Sequence, residues 1–190
     1  MLTARASRTI AAAPQDIWAV VSDPHHLPRW WPRVMRVEAV DEHAFTEVMR
    51  TSRGKVVRAD FRVTGVDHRA LSLSWSQIVE GTPFERVLAS AETQLWLSAP
   101  EADPQAPAPQ SATPEGRHAP PADAVAAPAP APDPDGPTRV TVELRQDMAR
   151  RSARPGLLSA LTPGVAGRIV RRAAAATLEQ ALEALEGVSG

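Results

Sequence analysis

Through much of the first hundred residues apolar and polar side chains alternate with a period of two, the pattern of strands with one buried and one wet face. Val57, Ala59, Phe61 and Val63 interleave with Arg58, Asp60, Arg62 and Thr64. Leu71, Leu73 and Trp75 alternate with Ser72, Ser74 and Ser76; Val87, Ala89, Ala91, Thr93, Leu95 and Leu97 alternate with Arg86, Ser90, Glu92 and Gln94. The rhythm returns at Val140, Val142 and Leu144 against Thr141, Glu143 and Arg145. With an N-terminal strand and two more strands expected at 33–41 and 44–51, the pattern predicts an antiparallel meander. Gly54, Gly65 and Gly81 lie at or near its turns.

Helical signals flank the meander. Pro14 suits the first position of a helix and Asp16 its positive end, so 14–22 reads as a short helix presenting Ile17, Trp18 and Val21. Asp23 and Pro24 repeat the cap-and-start signal for a second short helix, which Pro28 and Pro32 limit. The last helix is the clearest, with Thr162 as cap, Pro163 as first residue and Gly187 as terminator. Arg168, Arg172, Glu179, Glu183 and Glu186 form its polar stripe; Val170, Ala174, Leu178, Ala181 and Leu185 form the opposite one.

Composition then bounds the domain. A chain of 190 residues is long enough for one domain with a real core and too short for two full ones. Residues 100–137 hold 12 of the 19 prolines and 11 alanines, and almost no large apolar side chain. Repeated Ala-Pro steps favour extended polyproline II chain, so this stretch is expected to be a disordered insertion between the last two strands. The folded domain is then 1–99 with 138–190. The insertion carries Glu101, Asp103, Glu115, Asp123, Asp133 and Asp135 against Arg117 alone, which leaves the rest mildly basic although the whole chain has a net charge of −1. That balance argues against nucleic acid as a partner. The absence of Cys removes disulfides, thiolate nucleophiles and Cys-ligated zinc. No signal-peptide core and no long apolar span is present, so a cytoplasmic protein is expected.

One stretch of sequence carries a resemblance. The run from Ser7 through Ala13, Pro14, Asp16, Ile17 and Trp18 to Asp23 and Pro24, followed by Leu27, Pro28, Arg29, Trp30, Trp31 and Pro32, resembles the N-terminal signature of the SRPBCC superfamily. Within it, the chain resembles the polyketide cyclase/dehydrase and lipid-transport branch, over residues 3–98 and 138–186. The resemblance implies an α+β helix-grip (START-like) fold, in which a curved antiparallel sheet of about seven strands wraps around a long C-terminal helix. Two short helices follow the first strand, and a deep apolar cavity lies between sheet and long helix. The residues fit this picture, because Gly164, Ala166, Gly167 and Ala173 to Ala176 are too small to fill the space beneath the helix. Trp30, Trp31, Met35, Met49, Phe61, Leu73, Trp75 and Leu95 are expected as walls, with Val170 and Ala174 from the helix.

Catalytic motifs are scarce: no G-x-S-x-G, H-E-x-x-H, P-loop or G-x-G-x-x-G occurs, and no cofactor or metal is expected. His25 and His26 are adjacent and would point about 100° apart on a helix, which does not suit chelation. Cyclisation or dehydration of a polyketide needs only a shaping pocket and one acid or base. Glu47 and His26 are the candidates, with Gln77 and Thr93 also within reach of such a pocket. If Phe45 and Met49 point inward, Glu47 does too and its pKa rises; the opposite register puts Ala44, Thr46 and Val48 inside and Glu47 in water, and is slightly preferred. Arg145, Arg150, Arg151, Arg154, Arg168, Arg171 and Arg172 cluster around the end of the last strand and the start of the helix. The region of Arg168, Arg171 and Arg172 could dock an acidic carrier protein or a membrane surface. The reading is a protein that binds a small hydrophobic, lipid-like or polyketide-like ligand. The alternatives are a polyketide cyclase/dehydratase and a protein-interaction module with a vestigial cavity.

Overall fold

The structure, a computed structural model, describes residues 1–51, 53–100, 133–149 and 163–189, with side chains in the last helix from 171 onward. The body of the expected insertion, 101–132, lies outside the described residues, as do Arg150, Arg151, Arg154 and Thr162. The side chains of Gly164, Ala166, Gly167, Arg168 and Val170 are likewise not described.

Among the described residues seven strands form one antiparallel sheet: β1 (Leu2–Ile10), β2 (Val34–Glu38), β3 (Ala44–Arg50), β4 (Val56–Asp67), β5 (Ser72–Gln77), β6 (Leu88–Ser98) and β7 (Thr138–Met148). Their order is β1-β7-β6-β5-β4-β3-β2, so β2 to β7 run as a meander and β1 closes on β7. The pair Ser98 and Arg139 brings β6 and β7 together on either side of the proline-rich stretch. Between β1 and β2 come α1 (Pro14–Val21), a 3-10 turn (Pro24–His26) and α2 (Leu27–Trp30). Pro14 occupies the start of α1, and the Asp23 carboxylate caps the 3-10 turn by accepting from the His25 amide at 2.9 Å.

The long helix, α3 (Pro163–Ser189), lies across β1 and β7 and against α2. Ala174, Leu178, Ala181, Leu182 and Leu185 are buried, as three- and four-residue spacing requires of one helix face. They meet Ala4, Ala6 and Ile10 of β1 and Val140 and Val142 of β7 in a single core. Leu182 is fully buried, and Leu182→Ala is expected to cost about 2–5 kcal/mol in chemical denaturation. A loss below about 1 kcal/mol would place this residue outside a packed core.

Two glycine expectations need correction. Gly65 is inside β4 at a register shift rather than at a turn, and a Cβ there would meet the Ser74 hydroxyl at 3.0 Å. Gly187 does not end α3, which continues to Ser189. Gly54 and Gly81 do sit at turns, with φ of 78° and 72°. No described helix is long and apolar enough to cross a membrane.

Candidate functional site

The register of β3 decides what faces the inside. Phe45 pairs with Phe61 across the ladder and the two rings stack at 5.2 Å, so Phe45 shares the inner face with Phe61. Period two then carries Glu47 and Met49 inward. The slightly preferred opposite register is therefore corrected. The outer face of β3 is also covered, which explains the ambiguity. Thr46 donates to Asp60 at 2.6 Å, and Val48 is flanked by Arg36 and Arg58, both of which pair with Glu38. A strand buried on both faces shows no apolar-polar contrast from which to read its register.

Beneath the described part of α3 the sheet leaves a cavity of about 490 Å3. Trp31, Met49, Phe61, Trp75 and Leu144 supply apolar wall, and Ala173, Ala174 and Ala176 of α3 form the other side. Larger side chains at these helix positions would occupy the space. Polar groups are few: Glu47, Gln77, Thr93 and Gln146 from the sheet, Thr177 and Gln180 from α3, and Arg33. A smaller hollow of about 180 Å3 lies beyond, lined by Leu27, Phe45, Val63 and Leu73 and sharing Trp75 as a wall. The stacked Phe45 and Phe61, with Trp75, separate the two spaces.

Glu47 is the chemically distinctive member of the set. It is 1% exposed, neither carboxyl oxygen has a hydrogen-bond partner, and burial pushes its pKa up to about 8. At neutral pH it is therefore mostly a neutral acid with a proton to donate. Arg33 holds a left-handed backbone, φ 69°, which costs a non-glycine residue about 1–3 kcal/mol. Its carbonyl accepts from the Arg50 amide at 2.9 Å, fixing the turn that leads from α2 into β2 beside the cavity.

The structure places the expected wall residues in different surroundings. Trp31, Met49, Phe61, Trp75 and Ala174 line the main cavity, and Leu73 lines the smaller hollow. Trp30 is corrected: it is buried in the core, edge-on to Trp31 at 5.3 Å, while Trp31 reaches Trp75 at 5.8 Å. Leu95 is likewise a core residue, opposite Leu73 and Val142. Met35 is corrected too, because the bulge between Val34 and Arg36 breaks the alternation and turns it out to solvent. Gln77 and Thr93 reach the cavity. His26 lines neither space; it is half-buried, with Nδ1 unpartnered. Gln146, Thr177, Gln180 and Arg33 were not anticipated. Gln146 simply continues the alternation of Val140, Val142 and Leu144, and Thr177 and Gln180 follow Ala173 at helical spacing. Nothing in the sequence signals Arg33. Among the described residues no group of three or more His, Asp or Glu gathers as a metal site would require.

Residues 1–94 match the family described as polyketide cyclase / dehydrase and lipid transport. No curated protein matches the sequence. Among solved structures, the Zhui aromatase/cyclase from Streptomyces sp. R1128 superposes with a TM-score of 0.64 at 15% identity, covering 98% of this chain and 92% of that one. A START superfamily protein from Mycobacterium smegmatis gives a TM-score of 0.60 at 16% identity, covering 98% and 96%. The di-domain ARO/CYC StfQ from the steffimycin biosynthetic pathway gives 0.63 at 14% identity, covering 99% of this chain and 50% of its own. Sequence match and architecture thus agree: residues 1–94 match the polyketide cyclase/dehydrase and lipid-transport family, and the chain has the helix-grip fold of START-like proteins.

Proposed function

We propose that the protein binds a small, largely hydrophobic molecule, lipid-like or polyketide-like, in the cavity between sheet and α3. The observation that carries this reading is a space of about 490 Å3 with aromatic walls, into which one buried carboxyl presents two unpartnered oxygens. Aromatic and thioether walls select by shape, and few polar groups fix orientation. A carbonyl or ether oxygen on the ligand would accept the Glu47 proton and relieve the cost of leaving that group unpaired. Nile red, a neutral apolar dye with a ring carbonyl, serves as a test probe. Its fluorescence titration should show tight binding well below pH 8 and weaker binding well above it, where Glu47 ionises and ceases to donate. In Glu47→Gln the amide still donates, and binding should become independent of pH. Equal loss of affinity with pH in both proteins would remove Glu47 from the binding site.

A second reading, favoured by the raised pKa of Glu47, is a cyclase or dehydratase. The neutral carboxyl would protonate a carbonyl oxygen as a ring-closing carbon attacks the carbonyl carbon, and the resulting carboxylate would recover its proton from the next carbon acid. The neighbouring aromatase/cyclase structures support this chemistry by analogy of fold alone. Glu47→Gln separates the readings: a carrier keeps its transfer function, whereas an enzyme keeps binding and loses turnover by about 100-fold or more. Either function needs a source of ligand, and Arg171 and Arg172, exposed just before the cavity-lining Ala173, would attract an acidic carrier protein or a membrane.

A further inference from the structure

Apart from the terminal Met1, six large apolar side chains remain exposed among the described residues: Met35, Val56, Val66, Ile78, Val87 and Met148. Strand register sorts them sharply. Val56 is opposite Arg50 at the start of β4, and Met35 sits in the bulge beside the pair Val34 and Met49. Val87 precedes the pair Leu88 and Met148, and its carbonyl accepts from the Ala149 amide; Ile78 follows the end of β5. These five share one end of the sheet, and only Val66 lies toward the other. It is also the end at which Arg33, Met49, Gln77 and Gln146 line the cavity.

Charge is biased at the same end. Arg50, Arg53 and Lys55 of the β3–β4 hairpin are exposed, Arg33 lies beside Arg50, and Arg171 and Arg172 immediately precede the cavity-lining Ala173. From Arg29 to Val37, from Val48 to Arg58 and from Arg171 to Leu178 no acid occurs. Acids also occur at this end: Glu80 and Glu85 on the β5–β6 connection, Glu92 and Asp147 beside Ile78, and Asp60, which accepts from Thr46.

We infer that this end of the sheet is a docking face for an anionic lipid surface, seating the cavity mouth against the bilayer. The exposed residues are aliphatic or thioether side chains spread around a rim and interleaved with cations. A protein partner calls for a compact, closely fitted patch with aromatic or arginine anchors at its centre. A headgroup layer, in contrast, accepts scattered apolar side chains individually while attracting each nearby Lys or Arg. Docking there would let a hydrophobic ligand pass between bilayer and cavity without crossing water. That last consequence rests on the cavity-binding reading; docking itself does not.

Co-sedimentation of the full chain with vesicles tests the inference. Equimolar phosphatidylglycerol and phosphatidylcholine should retain the protein, pure phosphatidylcholine should not, and added salt should release it. Charge reversal in R53E/K55E should weaken partitioning on the order of tenfold or more, and V56D should weaken it further. R69E, which reverses an exposed cation at the opposite end, should leave partitioning within about twofold, and Nile red binding in solution should be unchanged in all three. No retention on anionic vesicles, or retention equally reduced by R69E, would overturn the inference. So would vesicle binding that is absent while an acidic carrier protein is bound through Arg53 and Lys55. Failure of Nile red to bind the unaltered protein, with vesicle retention intact, would sink the cavity reading and leave the docking face standing.

Discussion

Raising the pH from about 5 to about 8.5 is expected to reduce folding stability through Glu47 by several kcal/mol, and Glu47→Gln is expected to abolish that contribution. Below the ordinary value of 4.5 the carboxyl is protonated in both the folded and the unfolded chain, so its ionisation imposes no penalty on folding. Between 4.5 and about 8 the unfolded chain releases the proton while the folded chain retains it, and stability falls by at most about 1.4 kcal/mol per pH unit. Above about 8 both forms are ionised and the loss levels off. The cause is burial, since neither carboxyl oxygen has a partner to stabilise its charge. Other groups titrate as well, so the informative quantity is the difference between variant and parent in urea denaturation across this range. A difference that grows with pH is expected of a buried Glu47; parallel stability curves would mean that Glu47 is solvated.

Filling the cavity should have the second large effect. Ala174 is nearly buried and faces the space from α3, so Ala174→Phe places a ring where a ligand would sit. Nile red affinity is expected to fall by about 100-fold or more, as a displaced apolar ligand loses most of its contact area. Folding should change little, because the ring enters open space instead of a filled core, and at worst overpacking costs about 1–3 kcal/mol. Intact folding with undiminished dye binding would show that the dye binds elsewhere.

Much of the architecture is legible in the sequence because most strands have one wet face. The Val57 to Val63 and Leu71 to Trp75 alternations mark their inner faces unaided, and the alanine-rich start of α3 foretells a space beneath it. What escaped was set by tertiary context. Glu47 was ambiguous because an ion group and a Thr46 to Asp60 hydrogen bond cover the outer face of β3. Met35 was misplaced by a bulge, which shifts the alternation by one residue without a distinctive sequence mark. Trp30 and Trp31 are adjacent and equally apolar, yet one is core and the other cavity wall; only the exit of the chain from α2, which sets Trp31 against Trp75, distinguishes them. Arg33 is positioned by a left-handed turn that no glycine announced. The concentration of exposed apolar residues at one sheet end becomes visible only once strand register brings residues 35, 56, 78, 87 and 148 together.

The most direct test of a ligand-binding cavity is native mass spectrometry of the protein incubated with neutral aromatic ketones and long-chain esters, beside Ala174→Phe under identical conditions. One-to-one complexes are expected for the parent protein, and their loss in the variant. Complexes formed equally by both proteins, or by neither, would contradict it.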